Sequence, residues 1–197
     1  AILVNLAAKK STGLDMDEFW RHSLGTGLMA RLIAQKRNVA NAQLEEYFIA
    51  GLLHDIGKIP MSAINRDKYT EAMELAAREH ISLYRAEKRV LDFDHCEVGK
   101  TIVEVWHLEG AVGDVIGFHH SCLEYTGPYR DILYTVAMAN RFSSMTGFSG
   151  MGFSGDRHSE PLAPEILKYI AVDEDILGEF ESTVKKKIDD ALVFLES

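Results

Sequence analysis

GLLHDIGKIP, residues 51–60, follows an apolar run, YFIAGLL at 47–53, with an adjacent histidine and aspartate, His54 and Asp55, and then with Gly57 and Lys58. In helical register His54 continues Tyr47, Ala50 and Gly51, and Asp55 continues Phe48 and Leu52, so both fall on the interior side of a helix expected over 41–56. Gly57 breaks that helix. Ionisable groups facing a core need a partner, because burying each one unpaired costs about 1–3 kcal/mol.

The same placement recurs along the chain. His22 heads the stripe Gly25, Thr26, Met29, Leu32, Ile33, and His95 heads Val98, Gly99, Ile102 from the first turn of its helix. His119 follows Val112, Val115 and Ile116, His120 stands four residues after Ile116, and Asn140 ends the stripe Leu133, Val136, Ala137. Taken singly, each is a core or boundary side chain bonded to a backbone carbonyl, the ordinary fate of a buried imidazole. Taken together they call for a shared partner, and a divalent transition metal such as Fe, Mn or Zn accepts imidazole with carboxylate better than Mg²⁺ or Ca²⁺ does. His80, His107 and His158 stand off these stripes and read as surface or supporting residues.

The period is helical throughout. Helices are expected near 15–36, 41–56, 70–91 (this one allowing two pieces), 94–107, 110–120, 129–144 and 174–195, with Pro60, Pro128, Pro161 and Pro164 between them as punctuation. Asp15 with Glu18, and Asp94 with Glu97, have capping-box spacing. Leu177, Phe180, Val184, Ile188, Ala191 and Leu195 make one packed face of the last helix. No alternating strand pattern appears. GFSGMGFSG at 147–155 is glycine-rich and lacks the strand and lysine of a phosphate cradle, so it reads as a loop.

Composition narrows the class. A chain of 197 residues with 47% hydrophobic residues suits one domain, or one with a small appendage, with a substantial core, and a formal charge of -9 with no basic run beyond KKK at 185–187 argues against nucleic acid. Cys96 and Cys122, in no CxxC pattern, suit a reducing cytoplasm. No apolar run is long enough to span a bilayer. AILVNLAAKK at 1–10 reads like the tail of a helix that began earlier.

HDIGK after an apolar helix, FWRHS at 19–23 before it, then DHCEVGKTIVEVW at 94–106, FHH at 118–120 and VAMANRF at 136–142, together resemble the HD superfamily of metal-dependent phosphohydrolases. Within it the chain is most similar to the HDOD branch, a bacterial signal-transduction module. The resemblance implies an all-α fold, an HD-domain helical bundle with a metal centre in its core. The expected divisions are a helical tail at 1–14, the HD/HDOD core at 15–145, a Gly/Pro-containing loop at 146–165 and C-terminal helices at 166–197.

Carried over by position, the resemblance implies that His22, His54, Asp55 and Asn140 match the ligands of the basic HD site. His95, His119 and His120 match the added histidines of the two-metal branch that includes the HD-GYP cyclic-dinucleotide phosphodiesterases. Asp55 would bridge one or two divalent ions, and Lys58, turned by Gly57 toward the mouth, would hold a substrate phosphate. The alternative for Lys58 is an exposed cation on the last carbonyls of a helix.

Asn140 departs from the pattern, because catalytic relatives carry an aspartate there and an amide brings no charge. There is also no GYP in the chain, and after the paired histidines it runs SCLEYTGPYRD. The resulting expectation is a regulatory HDOD domain retaining a metal site, with a signalling protein as partner and weak or absent hydrolysis. The alternative is an active phosphohydrolase acting on a nucleotide or cyclic dinucleotide. A di-iron oxygenase, also built on this fold, requires the carboxylate that Asn140 lacks.

Overall fold

Helix α1, Met16–Lys36, begins where the Asp15 carboxylate accepts hydrogen bonds from the N–H groups of Asp17 and Glu18, both at 3.0 Å. This is the first element of a computed structural model that describes residues 13–146, 161–172 and 174–196. Its buried face follows the helical period through Phe19, His22, Thr26, Met29, Ala30 and Ile33. A 3₁₀ turn, Asn41–Gln43, leads into α2, Leu44–Leu53, which crosses α1 closely: a Cβ at Gly51 would lie 2.8 Å from Gly27 Cα. Glycine at this crossing lets the two backbones touch and brings His22 and the end of α2 together.

The chain continues through α3 (Lys58–Ile64), α4 (Arg66–Glu79), α5 (Leu83–Leu91), α6 (His95–Trp106), α7 (Ala111–Phe118), α8 (Arg130–Thr146), α9 (Pro164–Ile170) and α10 (Glu174–Glu196). The fold is all-α, with no strand among the described residues. Both halves of the capping box at Asp94 and Glu97 are formed.

Two expectations need correction. The helix expected over 41–56 ends at Leu53, and His54 to Gly57 form a tight turn with Ile56 N–H bonded to Leu53 O and Lys58 N–H to Asp55 O. The 70–91 segment is two helices, as its expectation allowed, since His80 takes a left-handed conformation at φ 54° and ends α4. Pro60 lies inside α3 rather than between helices, in the first turn, where a missing N–H removes no helical bond. Helix α9, which opens on Pro164, is the first of the C-terminal helices expected over 166–197 and starts two residues ahead of that range.

Two apolar clusters share the interior. One gathers Met29 and Ile33 of α1 with Leu133 and Val136 of α8, Ile166 of α9, and Leu177, Val184 and Ile188 of α10. The other gathers Phe19 of α1 with Ile56, Ile59, Tyr69, Leu83, Ala86 and Ile116. Helix α1 feeds both, and His22 sits between its two contributions. Across α1, α2 and α8, Arg37 makes a bidentate pair with Asp131 at 2.8 and 3.1 Å, and the Tyr47 hydroxyl donates to the same carboxylate. The glycine loop at 147–155, His158 and the chain before Gly13 lie outside the described residues.

Candidate metal centre

Asp55 has its carboxylate at the meeting point of four histidine-bearing segments. Its Oδ1 faces His95 Nε2 at 3.2 Å and His119 Nε2 at 3.5 Å, and its Oδ2 faces His54 Nε2 at 3.3 Å and His22 Nε2 at 3.7 Å. The two oxygens therefore divide the cluster into halves. Ligand atoms of Asp55, His95, His119 and His120 lie within 4.8 Å of one another, as do those of His22, His54 and Asp55. Asp55, His22, His54 and His95 are fully buried and His119 nearly so.

Backbone and side-chain acceptors fix how the rings point. His54 Nδ1 lies 2.7 Å from Gly51 O, His119 Nδ1 lies 3.2 Å from Val115 O, and His95 Nδ1 lies 2.6 Å from Glu87 Oε2. Each Nδ1 is thereby assigned as the donor, leaving Nε2 directed toward Asp55. Metal-ligating histidines are held in this way.

The residues fit a divalent transition ion. His54 Nε2, His120 Nε2 and Asp55 Oδ1 are buried with no hydrogen-bond partner among the described residues. The close approach of His95 Nε2 to Oδ1 without hydrogen-bond alignment is how two ligands of one ion stand. His95 Nε2, His119 Nε2 and Oδ1 form a triangle with sides of 3.2, 3.3 and 3.5 Å. A point equidistant from atoms about 3.3 Å apart lies about 1.9 Å from each in their plane (3.3 divided by √3), close to the ~2.0–2.1 Å of a metal–imidazole bond.

Electrostatics separates the imidazoles into two kinds. Burial raises the Asp55 carboxyl, but His54 and Lys58 outweigh it and hold it well below the usual carboxylate range. Burial lowers His95 and the Glu87 carboxylate reverses this, leaving the ring well above its ordinary value. Burial likewise opposes, and Cys96 and Asp55 overcome, a rise of His119 to about 9. His54 and His120 stay lowered by burial. Cys96, whose Sγ is 3.7 Å from His119 Nδ1, is raised by burial but drawn to about 7 by His119 and His95.

Lys58 departs from expectation. It does not reach a mouth: it is fully buried, and Nζ is 2.7 Å from Asp55 Oδ2. Gly57 is needed for close approach rather than as a breaker, since its φ of -64° suits any residue while a Cβ there would lie 2.0 Å from His95 O. Asn140 is buried, its Oδ1 without a hydrogen-bond partner among the described residues, and it lines a cavity of about 370 Å³ together with Tyr84, Arg85, His119, His120 and Arg141. His80 and His107 cap helices at the surface.

Glu87 went unseen in the sequence reading. It is fully buried, and besides His95 Nδ1 its Oε2 accepts from the His95 backbone N–H at 3.0 Å. The signal was present: Glu87 occupies a core position in the stripe Leu83, Ala86, Val90.

A model of the HDOD domain family matches residues 1–122, ending before the helix that carries Asn140. An uncharacterized protein of Treponema pallidum (strain Nichols) is 27% identical over 131 residues, which cover 66% of this chain and 25% of that protein. Among solved structures, an HDOD-domain protein of unknown function from Geobacter sulfurreducens superposes with TM-score 0.70 at 24% identity, covering 97% of this chain and 64% of the other. A candidate signal-transduction protein from Marinobacter aquaeolei VT8 gives 0.69 at 15% identity, with coverage of 92% and 38%. A candidate phosphohydrolase from Shewanella amazonensis SB2B gives 0.64 at 19%, with coverage of 92% and 64%. At these identities the likeness is one of fold, and the chain spans a quarter of the Treponema protein's length.

Proposed function

The chain belongs to the HDOD family, and from that premise we propose that it is a signal-transduction domain built around a divalent transition-metal centre at Asp55. The observation that carries the reading is the division of the Asp55 carboxylate between two histidine groups, with the His54, His95 and His119 rings each tied back through Nδ1. Asp55, His95, His119 and His120 would hold an Fe, Mn or Zn ion, which supplies Lewis acidity and a bound water when present. His22, His54 and Asn140 would complete the second half, where the neutral amide weakens affinity.

The cavity beside His119, His120 and Asn140 is a place for a phosphate-containing small molecule, since Arg85 and Arg141 are on its wall and its volume of about 370 Å³ is at the small end for ligand sites. A signalling protein partner belongs to the same reading, on family grounds. No described helix is long and apolar enough to cross a membrane, and the net charge of -9 disfavours nucleic acid.

Hydrolysis is the second reading, favoured by the convergence of the full histidine set on one carboxylate. Metal analysis of protein purified without chelator tests both. At least one equivalent of transition metal is expected. Less than about a tenth of an equivalent, with no uptake of Mn²⁺, Fe²⁺ or Zn²⁺, would remove the metal centre. For catalysis, Asn140→Asp is expected to raise metal content and to create or increase cleavage of bis(p-nitrophenyl) phosphate. Brisk cleavage by the wild type, unchanged in the variant, would displace the regulatory reading in favour of the enzyme.

A further inference from the structure

We propose that Lys58 is the resident cation of the His22/His54 half of the centre, so that the domain binds one metal ion per chain, in the Asp55 Oδ1 half. This rests on the metal-centre reading above and adds its stoichiometry and the residue that sets it.

Lys58 Nζ is 2.7 Å from Asp55 Oδ2, the oxygen that faces His22 and His54, whereas Oδ1 faces His95 and His119. The lysine is fully buried, so its ammonium has no route to water without the core opening around it. A buried cation separated from its carboxylate is costly, which holds Nζ on Oδ2. An ion bound about 2.1 Å from Oδ2 would therefore stand at most about 4.8 Å from the ammonium, with no intervening solvent to weaken their repulsion.

Charge balance points the same way. The buried carboxylates of the centre are Asp55 and Glu87, and against Lys58 they leave a formal charge of -1. One divalent ion brings this to +1 and a second to +3. A carboxylate at position 140 would offset part of that rise, but the residue there is Asn140. The Oδ1 half is not the one the ammonium sits on, and its ligand atoms come within hydrogen-bonding distance of each other, His95 Nε2 and His119 Nε2 at 3.3 Å, an approach that a shared ion accounts for. The turn His54–Gly57 builds the arrangement in sequence, carrying the carboxylate within it and placing the ammonium three residues on, just past its end.

The test is Mn²⁺ stoichiometry, by elemental analysis and calorimetry, on the wild type and on Lys58→Gln, whose neutral amide can still donate to Oδ2 and keep the core satisfied. The wild type is expected to bind one Mn²⁺ with an isolated-ion paramagnetic resonance spectrum. Lys58→Gln is expected to bind a second at least tenfold more tightly than wild type does, with the altered spectrum of an exchange-coupled pair. Two ions in the wild type overturn the proposal without recourse to any variant. One ion in the wild type and still one in folded Lys58→Gln overturns the role of the lysine while leaving the metal centre standing. No uptake by either protein removes the centre itself, and the proposal with it.

Discussion

Glu87→Gln isolates what the carboxylate behind His95 contributes. Glu87 Oε2 accepts from His95 Nδ1–H at 2.6 Å and from the His95 backbone N–H at 3.0 Å, while Oε1 is buried without a hydrogen-bond partner among the described residues. Glutamine preserves size and one acceptor oxygen. It removes the charge from two hydrogen bonds and points a buried NH₂ group to where Oε1 lay. Hydrogen bonds to charged groups are worth about 1.5–3 kcal/mol, and glutamine keeps part of this, so the metal-free fold should lose about 2 kcal/mol. For a chain of 197 residues that lowers Tm by about 4–8 °C.

The metal readout separates positioning from mere stability. Losing the partner that orients a ligating histidine typically costs about 10–100-fold in affinity, or about 1.4–2.8 kcal/mol. The sign of its pH dependence follows from His95. Its folded pKa is raised, so the ring is protonated below that value and must release a proton to bind metal. In wild type this proton competition hides part of the benefit of Glu87 at low pH, and Glu87→Gln relieves the competition. The affinity gap should therefore be wider at pH 8.5 than at pH 6.5, measured by Zn²⁺ competition against a chromophoric chelator. Affinity within threefold of wild type at pH 8.5, with Tm unchanged, would show that Glu87 neither orients nor charges His95.

Metal binding should release protons. His119 is raised to about 9 and His95 well above its ordinary value, so both are protonated near pH 7 without metal, and affinity should climb from pH 7 toward 9; calorimetry in buffers of different ionisation enthalpy reads the number released. For the metal-free fold the same raised groups stabilise below their unfolded pKa near 6.5, and the effect is lost as pH rises through their folded values; Asp55, held low, stabilises above about 3.9 and the effect is lost as pH falls below that. Alkaline destabilisation should therefore be clear without metal and blunted with it, as thermal melts would show. Gly57→Ala places a Cβ 2.0 Å from His95 O, and should cost at least about 1–3 kcal/mol and weaken metal binding by displacing His95; an unchanged denaturation midpoint would refute the close approach.

Much of the buried cluster is legible in the sequence because its side chains obey the periods of their helices. His22, His95 and Asn140 lie on apolar stripes, and burial of a polar residue on such a stripe is forced by its neighbours' need to leave water. What escaped the reading has physical causes. The register that carried His54 and Asp55 inward ran through a turn the sequence reading took for helix; both residues still face the core, but Lys58 follows them in, because its pairing with Asp55 offsets the burial of its charge. That pairing spans three residues, a spacing visible in HDIGK itself. Pro60 was read as punctuation, although the first turn of a helix tolerates it. The break at His80 depends on a left-handed residue that is not glycine, which no local composition signals.

The two halves of the centre differ in access as well as in charge. His119, His120 and Asn140 border the cavity, whereas His22, His54 and Lys58 are closed over by α1, α2 and the turn between α2 and α3. A ligand entering by the cavity therefore meets the Oδ1 half first, where the ring nitrogens and Oδ1 lie at mutual distances suited to one ion. Hydrolysis by a pair of ions needs a metal in each half, to stabilise the attacking and the leaving oxygens. In the His22/His54 half the group on Oδ2 is the Lys58 ammonium, and Asn140 lines the cavity with His119 and His120. Helices α1, α6, α7 and the end of α2 each place at least one ring against Asp55, so four separate segments are tied to one carboxylate.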